Sequence, residues 1–378
     1  MKWRSARSLD RPSEAIDRPL FFAMVALALF GALMSYSATR QLLINAGDDP
    51  QYYFKRQLTW AVVGIVVMFL VSRVDFRKFE MVSTPLYIAV VLALAGVLVV
   101  GRSALGAQRW YNLGFMQVQP SEFSVIAVIL AVSTYCARRP EGLTMYDVRR
   151  ILTMVAAPII LILAQPDLGT SILMILTVAV ILVVAGVPPR FMAVLGAAGV
   201  ASLGLFVGVG FLHSYQVARL TSFVNQNYTG HDKDVLSLLY QVAHSKNAIG
   251  AGGFSGAGLF GGLQTTLGYV PESKTDFIFA VVGEQMGILG TTALIALLSF
   301  IAYRMFRISR ESHDALGRFI AMGAYVFFAF SCFQNIGMTL GIMPVTGIPL
   351  PMISYGGSSA VVFALAGGAV LSISKRVK

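Results

Sequence analysis

Five of the 18 acidic residues, Glu122, Asp167, Glu272, Asp276 and Glu284, lie at or inside apolar segments, while the other thirteen fall in tails or loops that water reaches. A carboxylate at the edge of a membrane span is costly to hold, so each of the five needs a partner or a task. Asp276 closes the polar stretch Pro271-Glu272-Ser273-Lys274-Thr275-Asp276, directly before the apolar run Phe277-Ile278-Phe279-Ala280-Val281-Val282. It is placed to cap the helix that follows, and a capping carboxylate is still able to act as a general base. Glu272 lies four residues earlier, and a like charge nearby raises one carboxylate's pKa toward that of a useful base. Glu284 follows Asp276 by eight residues, about 80° round an ideal helix, so the two are not expected to share a face.

The other candidate groups sit in three further segments. Gly106-Ala107-Gln108-Arg109-Trp110 precedes Gln119-Pro120-Ser121-Glu122. The Arg109 guanidinium suits paired hydrogen bonds to a phosphate, and Ser121 and Glu122 suit the cap and first turn of a helix. In Gln165-Pro166-Asp167-Leu168-Gly169-Thr170-Ser171, Pro166 breaks the chain at membrane depth. Asp167 then either caps the next helix or works as a functional acid. From Pro344 to Ser359 the chain carries Pro344, Pro349 and Pro351, which forbid a helix. The segment is expected to be a re-entrant loop, tolerable only under protein or beside a wet cavity. Lys55, Arg56 and Arg219 are further cations for an anion, and Trp110, Thr275 and Ser354 complete the substrate-binding candidates. The four histidines show no zinc spacing, and neither a Walker A sequence nor a dinucleotide fingerprint occurs.

Long apolar elements must carry these groups. The chain has 378 residues, 56% of them hydrophobic and 12% charged, with a mean hydropathy of +0.73. Soluble domains carry about a quarter charged residues. The reading is an all-α polytopic membrane protein, one membrane domain over 1–378. Ten spans are expected, near 19–39, 57–72, 82–101, 121–137, 151–165, 168–187, 191–212, 277–303, 318–343 and 357–374. With both termini inside, 20 basic residues fall on the cytoplasmic side and 9 outside. This assigns 1–18 and 375–378 to the cytoplasm and 213–275 to a large outer loop between the seventh and eighth spans. The net charge of +11 follows this membrane asymmetry, and no nucleic-acid partner is expected. Cys136 and Cys332 both lie in apolar spans as small hydrophobes. The first apolar run has no cleavage pattern and is expected to stay as a helix. In the outer loop, residues 236–243 predict a short amphipathic interfacial helix. The glycine-rich run Gly250–Gly262 is suited to close approach by a ligand or another segment.

Four stretches in this order resemble the SEDS family of bacterial rod-shape, division and sporulation proteins: Gln165–Thr170, Ala248–Gly253, Thr275–Ala280 and Gly347–Ser359. Pro344–Pro351 and Arg219-Leu220-Thr221-Ser222-Phe223 resemble the elongation branch, RodA, more than the division branch, FtsW. The resemblance implies a peptidoglycan glycosyltransferase that polymerises lipid II in the cytoplasmic (inner) membrane. It further implies a class B penicillin-binding protein as partner beside elongation-complex membrane proteins. A divalent cation, magnesium or manganese with unknown ligands, is implied too. The family's essential aspartate matches Asp276. A lysine usual three residues past the family's glutamate is replaced here by Val125, so the ion pair expected of Glu122 is missing. His244-Ser245 stands where Gln-Ser is frequent. Two other readings use the same residues: a lipid II flippase, and a non-enzymatic scaffold for a transpeptidase.

Overall fold

Side-chain caps and glycines mark where the apolar runs begin and end. The computed structural model describes residues 16–377 apart from 105–106, 113, 115–116, 189, 195, 198 and 200–213. Helix α1 (Arg18–Ala46) starts at Asp17, whose carboxylate accepts from the Leu20 amide at 3.0 Å, and stops at Gly47 with φ 77°. Next come α2 (Tyr52–Arg73) and a short 3-10 turn at Phe76–Lys78 that leads into α3 (Phe79–Val100). α4 (Pro120–Ala137) follows, then α5 (Met145–Ala164), opened by a capping box between Thr144 and Asp147, and α6 (Leu168–Val184). The long loop expected at 213–275 holds α7 (Ser214–Val224), α8 (Lys233–Gly252) and the single turn α9 (Leu263–Thr266). α10 (Ile278–Glu311), α11 (Ala315–Thr339) and α12 (Gly357–Ser374) complete the chain.

Seven of the described helices are long and apolar enough to cross a membrane: α1, α2, α3, α4, α10, α11 and α12. α6 is apolar but shorter, and α5 begins with the charged residues Asp147, Arg149 and Arg150. The expected span at 191–212 lies largely outside the described residues. α4, α11 and α12 form the centre, buried over 72%, 72% and 83% of their apolar windows, against 22% for α2 and α3. The apolar sides of those outer helices are left for lipid.

The all-α expectation needs one correction. Between α3 and α4 the chain forms an antiparallel three-stranded sheet, in the order β1 (Arg102–Ala104), β2 (Ala107–Asn112) and β3 (Gln117–Val118). A hairpin satisfies the backbone of this polar connection, and Arg109-Trp110-Tyr111 on β2 brings the strand-favouring aromatics. The short interfacial helix expected at 236–243 is instead the 20-residue α8. It runs into the glycine-rich stretch and packs along α10, where Gly252 meets Gly283 with no room for a Cβ.

α10 is broken at Gly287 (φ 63°, ψ −159°). A break frees backbone groups that hydrocarbon cannot satisfy. The glycine-rich segment supplies their partners. The Ile288 and Leu289 amides donate to the carbonyls of Gly253 and Phe254 at 2.9 and 3.2 Å. The carbonyls of Glu284 and Gln285 accept from the amides of Ala257 and Gly258 at 2.9 and 3.0 Å. Glu284 is fixed in the same region: its carboxylate accepts from the amides of Gln264 and Thr265 and caps α9.

Charged residues assigned to one side of the membrane meet at one end of the bundle. Arg304 pairs with Asp17, Arg376 with Asp75, Arg77 with Asp314 and Arg138 with Glu80. The polar groups assigned to the other side meet at the opposite end, Gln57 with Ser354, Arg109 with Gln165 and Gln119 with Ser358.

Candidate active site

The non-helical segment between α11 and α12 forms one wall of the site, as its prolines require. It is lashed to the 272–276 stretch. The Asn335 Nδ2 donates to the carbonyls of both Ile348 and Asp276 at 2.9 Å. Ser354 Oγ donates to the Thr275 carbonyl at 2.6 Å and accepts from the Leu350 amide at 2.8 Å. The Tyr355 amide donates to the Lys274 carbonyl at 2.8 Å. Gly169, in the first turn of α6, packs against this segment so closely that a Cβ would stand 2.9 Å from Ile348 Cγ1.

These ties close a cavity of about 270 Å³ at the end of the bundle opposite the ion pairs. It brings together Asp276, Arg109, Trp110, Glu122, Asp167, Arg219, Glu272 and Thr275 from five separate parts of the sequence. Asp276 does not cap α10, contrary to expectation. The N-cap is Phe277, with no side-chain hydrogen bond, so the Asp276 carboxylate stays turned to the cavity. It is half-buried and accepts no hydrogen bond among the described residues. Burial pushes its pKa up to about 6; Arg219 opposes that rise, Glu272 adds to it, and Arg109 opposes it. Gly347 (φ 76°) separates acid from guanidinium: a Cβ there would lie 3.5 Å from Asp276 Oδ2 and 3.6 Å from Arg219 Nη2.

The two arginines are held in place by neutral oxygens. Arg219 on α7 is 6% exposed; its Nη1 donates to the Thr346 carbonyl at 2.5 Å and its Nη2 to Tyr215 Oη at 2.6 Å. Arg109 on β2 donates from Nε and Nη2 to the carbonyls of Gln165 and Pro166, each at 2.6 Å. Neither is neutralised by a carboxylate within 4.0 Å among the described ion pairs, so both keep their charge for an anion in the cavity.

Asp167 is fully engaged. It accepts from the Thr170 amide (3.1 Å), Thr170 Oγ1 (2.9 Å), Ser121 Oγ (3.0 Å) and Gln119 Nε2 (3.1 Å). It caps α6 and ties that cap to the start of α4. Ser121 therefore donates to Asp167 instead of capping α4. The cap position falls to Gln119, with Pro120 at the first helical position, where its fixed φ suits the helix. Glu122 lines the cavity beside Val125, and its Oε2 is buried without a hydrogen-bond partner among the described residues.

Three expected residues stand apart from the cavity lining. Lys55 pairs with Asp49 at 2.9 Å on the exposed end of α2. Arg56 donates to Tyr52 Oη at 2.5 Å. The Ser354 hydroxyl is spent on backbone. The cavity adds Tyr215, Thr346, Gly347 and Tyr355, which were not among the candidates. Tyr215 precedes Arg219 by four residues, the helical spacing at which side chains meet, and that was its one sequence signal.

A multi-pass membrane protein with a polar, cation-bearing cavity at one membrane face is the class these features define. The profile of the FtsW/RodA/SpoVE family of cell cycle proteins matches residues 18–378, and the chain belongs to that family, the SEDS membrane proteins. It is similar to the probable peptidoglycan glycosyltransferase FtsW of Trichlorobacter lovleyi, 34% identical over 96% of this chain and 94% of that protein. It is likewise similar to the peptidoglycan glycosyltransferase MrdB of Escherichia coli K12, 34% identical over 95% of this chain and 93% of that one. A solved chain from a study of structural coordination of polymerization and crosslinking by a peptidoglycan synthase complex superposes with a TM-score of 0.79. It is 28% identical, and the match covers 96% of this chain and 99% of that chain.

Proposed function

We propose that this chain is a peptidoglycan glycosyltransferase that polymerises lipid II at the outer face of the bacterial inner membrane, with Asp276 as general base. The observation that carries this reading is the Asp276 carboxylate, turned to a cavity lined by two cations and without a hydrogen-bond partner among the described residues. The acceptor sugar's 4-hydroxyl attacks the anomeric carbon of the donor chain, with inversion. Its proton passes to Asp276 as the new glycosidic C–O bond forms and the bond to pyrophosphate breaks. The leaving group departs as an anion, so charge stabilisation replaces a general acid. Arg109 and Arg219 supply that stabilisation from fixed positions.

A divalent cation suits this chemistry only with the substrate present. Among the described residues no group of three or more His, Cys, Asp or Glu converges to hold a metal. Magnesium, however, is bound by one or two carboxylates together with substrate phosphates. Glu272, at the cavity edge, is the carboxylate that would hold it, and the ion would neutralise pyrophosphate charge.

The proposal extends to cell elongation, supported by the resemblance of Pro344–Pro351 and Arg219–Phe223 to the RodA branch, and to a class B penicillin-binding protein as partner. Both termini are assigned to the cytoplasm by the basic-residue asymmetry. The test is Asp276→Asn in the purified complex, with folding and partner binding checked in the same sample. Glycan synthesis should fall about 10²- to 10⁴-fold. Polymerisation at the wild-type rate would refute the base. Movement of labelled lipid II across vesicles with no longer glycan made would replace this reading with a flippase.

A further inference from the structure

Glycan polymerisation needs two saccharide-bearing substrates at once, and the cavity lined by the described residues is small for even one. Pockets for one drug-sized ligand run from roughly 300 to 1,000 Å³. At about 270 Å³, this cavity accommodates the reacting sugar and its phosphates. The remaining saccharide must lie on a surface continuous with the mouth.

Such a surface leads out past Tyr355, which lines the cavity. The Tyr53 ring meets the Tyr355 ring edge to face, centroids 5.1 Å apart at 90°. Lys274 Nζ sits 4.8 Å above the Tyr53 ring. The Tyr52 ring lies 5.1 Å from Tyr53 and carries the Arg56 guanidinium over its face at 5.2 Å. The outer end of α2 is fixed against the cavity wall by Gln57, whose Nε2 donates to the Ser354 carbonyl at 3.2 Å and whose Oε1 accepts from the Gly356 amide at 3.3 Å. Tyr53, Tyr355, Arg56 and Lys274 are partly exposed and Tyr52 is 44% exposed.

Aromatic rings present apolar faces that pack against the C–H faces of sugars, and their hydroxyls take up sugar hydroxyls. Ammonium and guanidinium groups beside them bind carboxylates. An alternating chain of sugars whose peptide side arms carry free carboxylates matches both kinds of group. We propose that Tyr53, Tyr355, Lys274 and Arg56 form a saccharide subsite that holds the glycan strand while its reacting end occupies the cavity. This rests on the glycosyltransferase reading. A plain interfacial belt of tyrosines and cations, the rival for such residues, would bind headgroups and not free oligosaccharide.

The test uses an end-labelled, lipid-free tetrasaccharide of alternating N-acetylglucosamine and N-acetylmuramoyl-peptide, titrated by fluorescence anisotropy into the full chain in detergent. Binding is expected, with Tyr53→Ala and Lys274→Ala each weakening it about three- to tenfold. Tyr53→Phe, which keeps the ring, should retain most of it and guards against misfolding as the cause. In the polymerisation assay the same alanine variants should shift the product to shorter strands. A wild-type chain that polymerises lipid II, with variants giving unchanged strand lengths and unchanged tetrasaccharide binding, would overturn the subsite alone. A wild-type complex that makes no glycan would overturn the enzyme reading instead.

Discussion

Asp276 works at the boundary between two tendencies. Its carboxylate is buried enough to be a stronger base than an exposed aspartate, and close enough to Arg219 to be ionised at neutral pH. The rate should therefore fall as pH drops through about 6, because protonation removes the base. For an acid whose pKa is raised on folding, the folded state binds the proton more tightly, so this group adds stability as pH falls from above 6 to below about 4. Loss of activity over that range is thus separable from unfolding by a parallel melting curve. The neighbours give the check: Glu272→Gln should move the limb to lower pH, and Arg219→Gln should move it higher. A limb that stays fixed in both variants would assign it to another group. Asp276 stood out in the sequence because it is the last acid of a polar loop directly before an apolar run, and the structure places it in the cavity lining. Its freedom from capping was not, since a favourable cap residue next to a helix start reads the same whichever way its side chain turns.

Among the elements, the break in α10 is the feature that the sequence concealed. Gly287 sits in an apolar run that reads as one span, and nothing local marks the turn of its backbone. The glycines that complete it lie about thirty residues earlier, in a stretch whose composition announced close approach but not the partner. Gly252→Ala should be severe, because the added Cβ would stand 1.9 Å from the Gly283 carbonyl oxygen. Overpacking of this kind costs about 1–3 kcal/mol or more. The expected result is a lowered melting temperature and reduced yield, whereas Gly250→Ala, with open space at the Cβ, should melt near wild type. Equal melting of the two would show that α8 and α10 do not cross as described. The small sheet escaped for a related reason: two- to six-residue strands in a polar connection leave too little alternation to detect.

For the whole molecule, the basic-residue asymmetry predicted which loops gather together, and the ion pairs at one end agree with it. Asp17 ties the start of α1 to two distant helices: its carboxylate receives Arg304 on α10, and its own amide donates to Ser374 Oγ on α12 at 3.1 Å. Asp17 is 5% exposed, so Asp17→Ala strands a largely buried guanidinium, at a cost of about 3 kcal/mol. A lower melting temperature with little change in catalytic rate per folded molecule is expected, since the cavity lies at the opposite end of the bundle. A specific fall in rate with unchanged melting would contradict that separation. The four motif stretches were legible one by one, but the cavity that three of them share, Gln165–Thr170, Thr275–Ala280 and Gly347–Ser359, was not, because it depends on contacts between positions far apart in the sequence.

Asn335 grips two carbonyls with a single amide nitrogen, one belonging to Asp276 and one to Ile348 in the non-helical wall. A tilt of α11, from whatever source, thus carries both in the same direction. The gap between them is insulated from motion of the helix that bears them, as two jaws bolted to one bracket keep their spacing when the bracket swings.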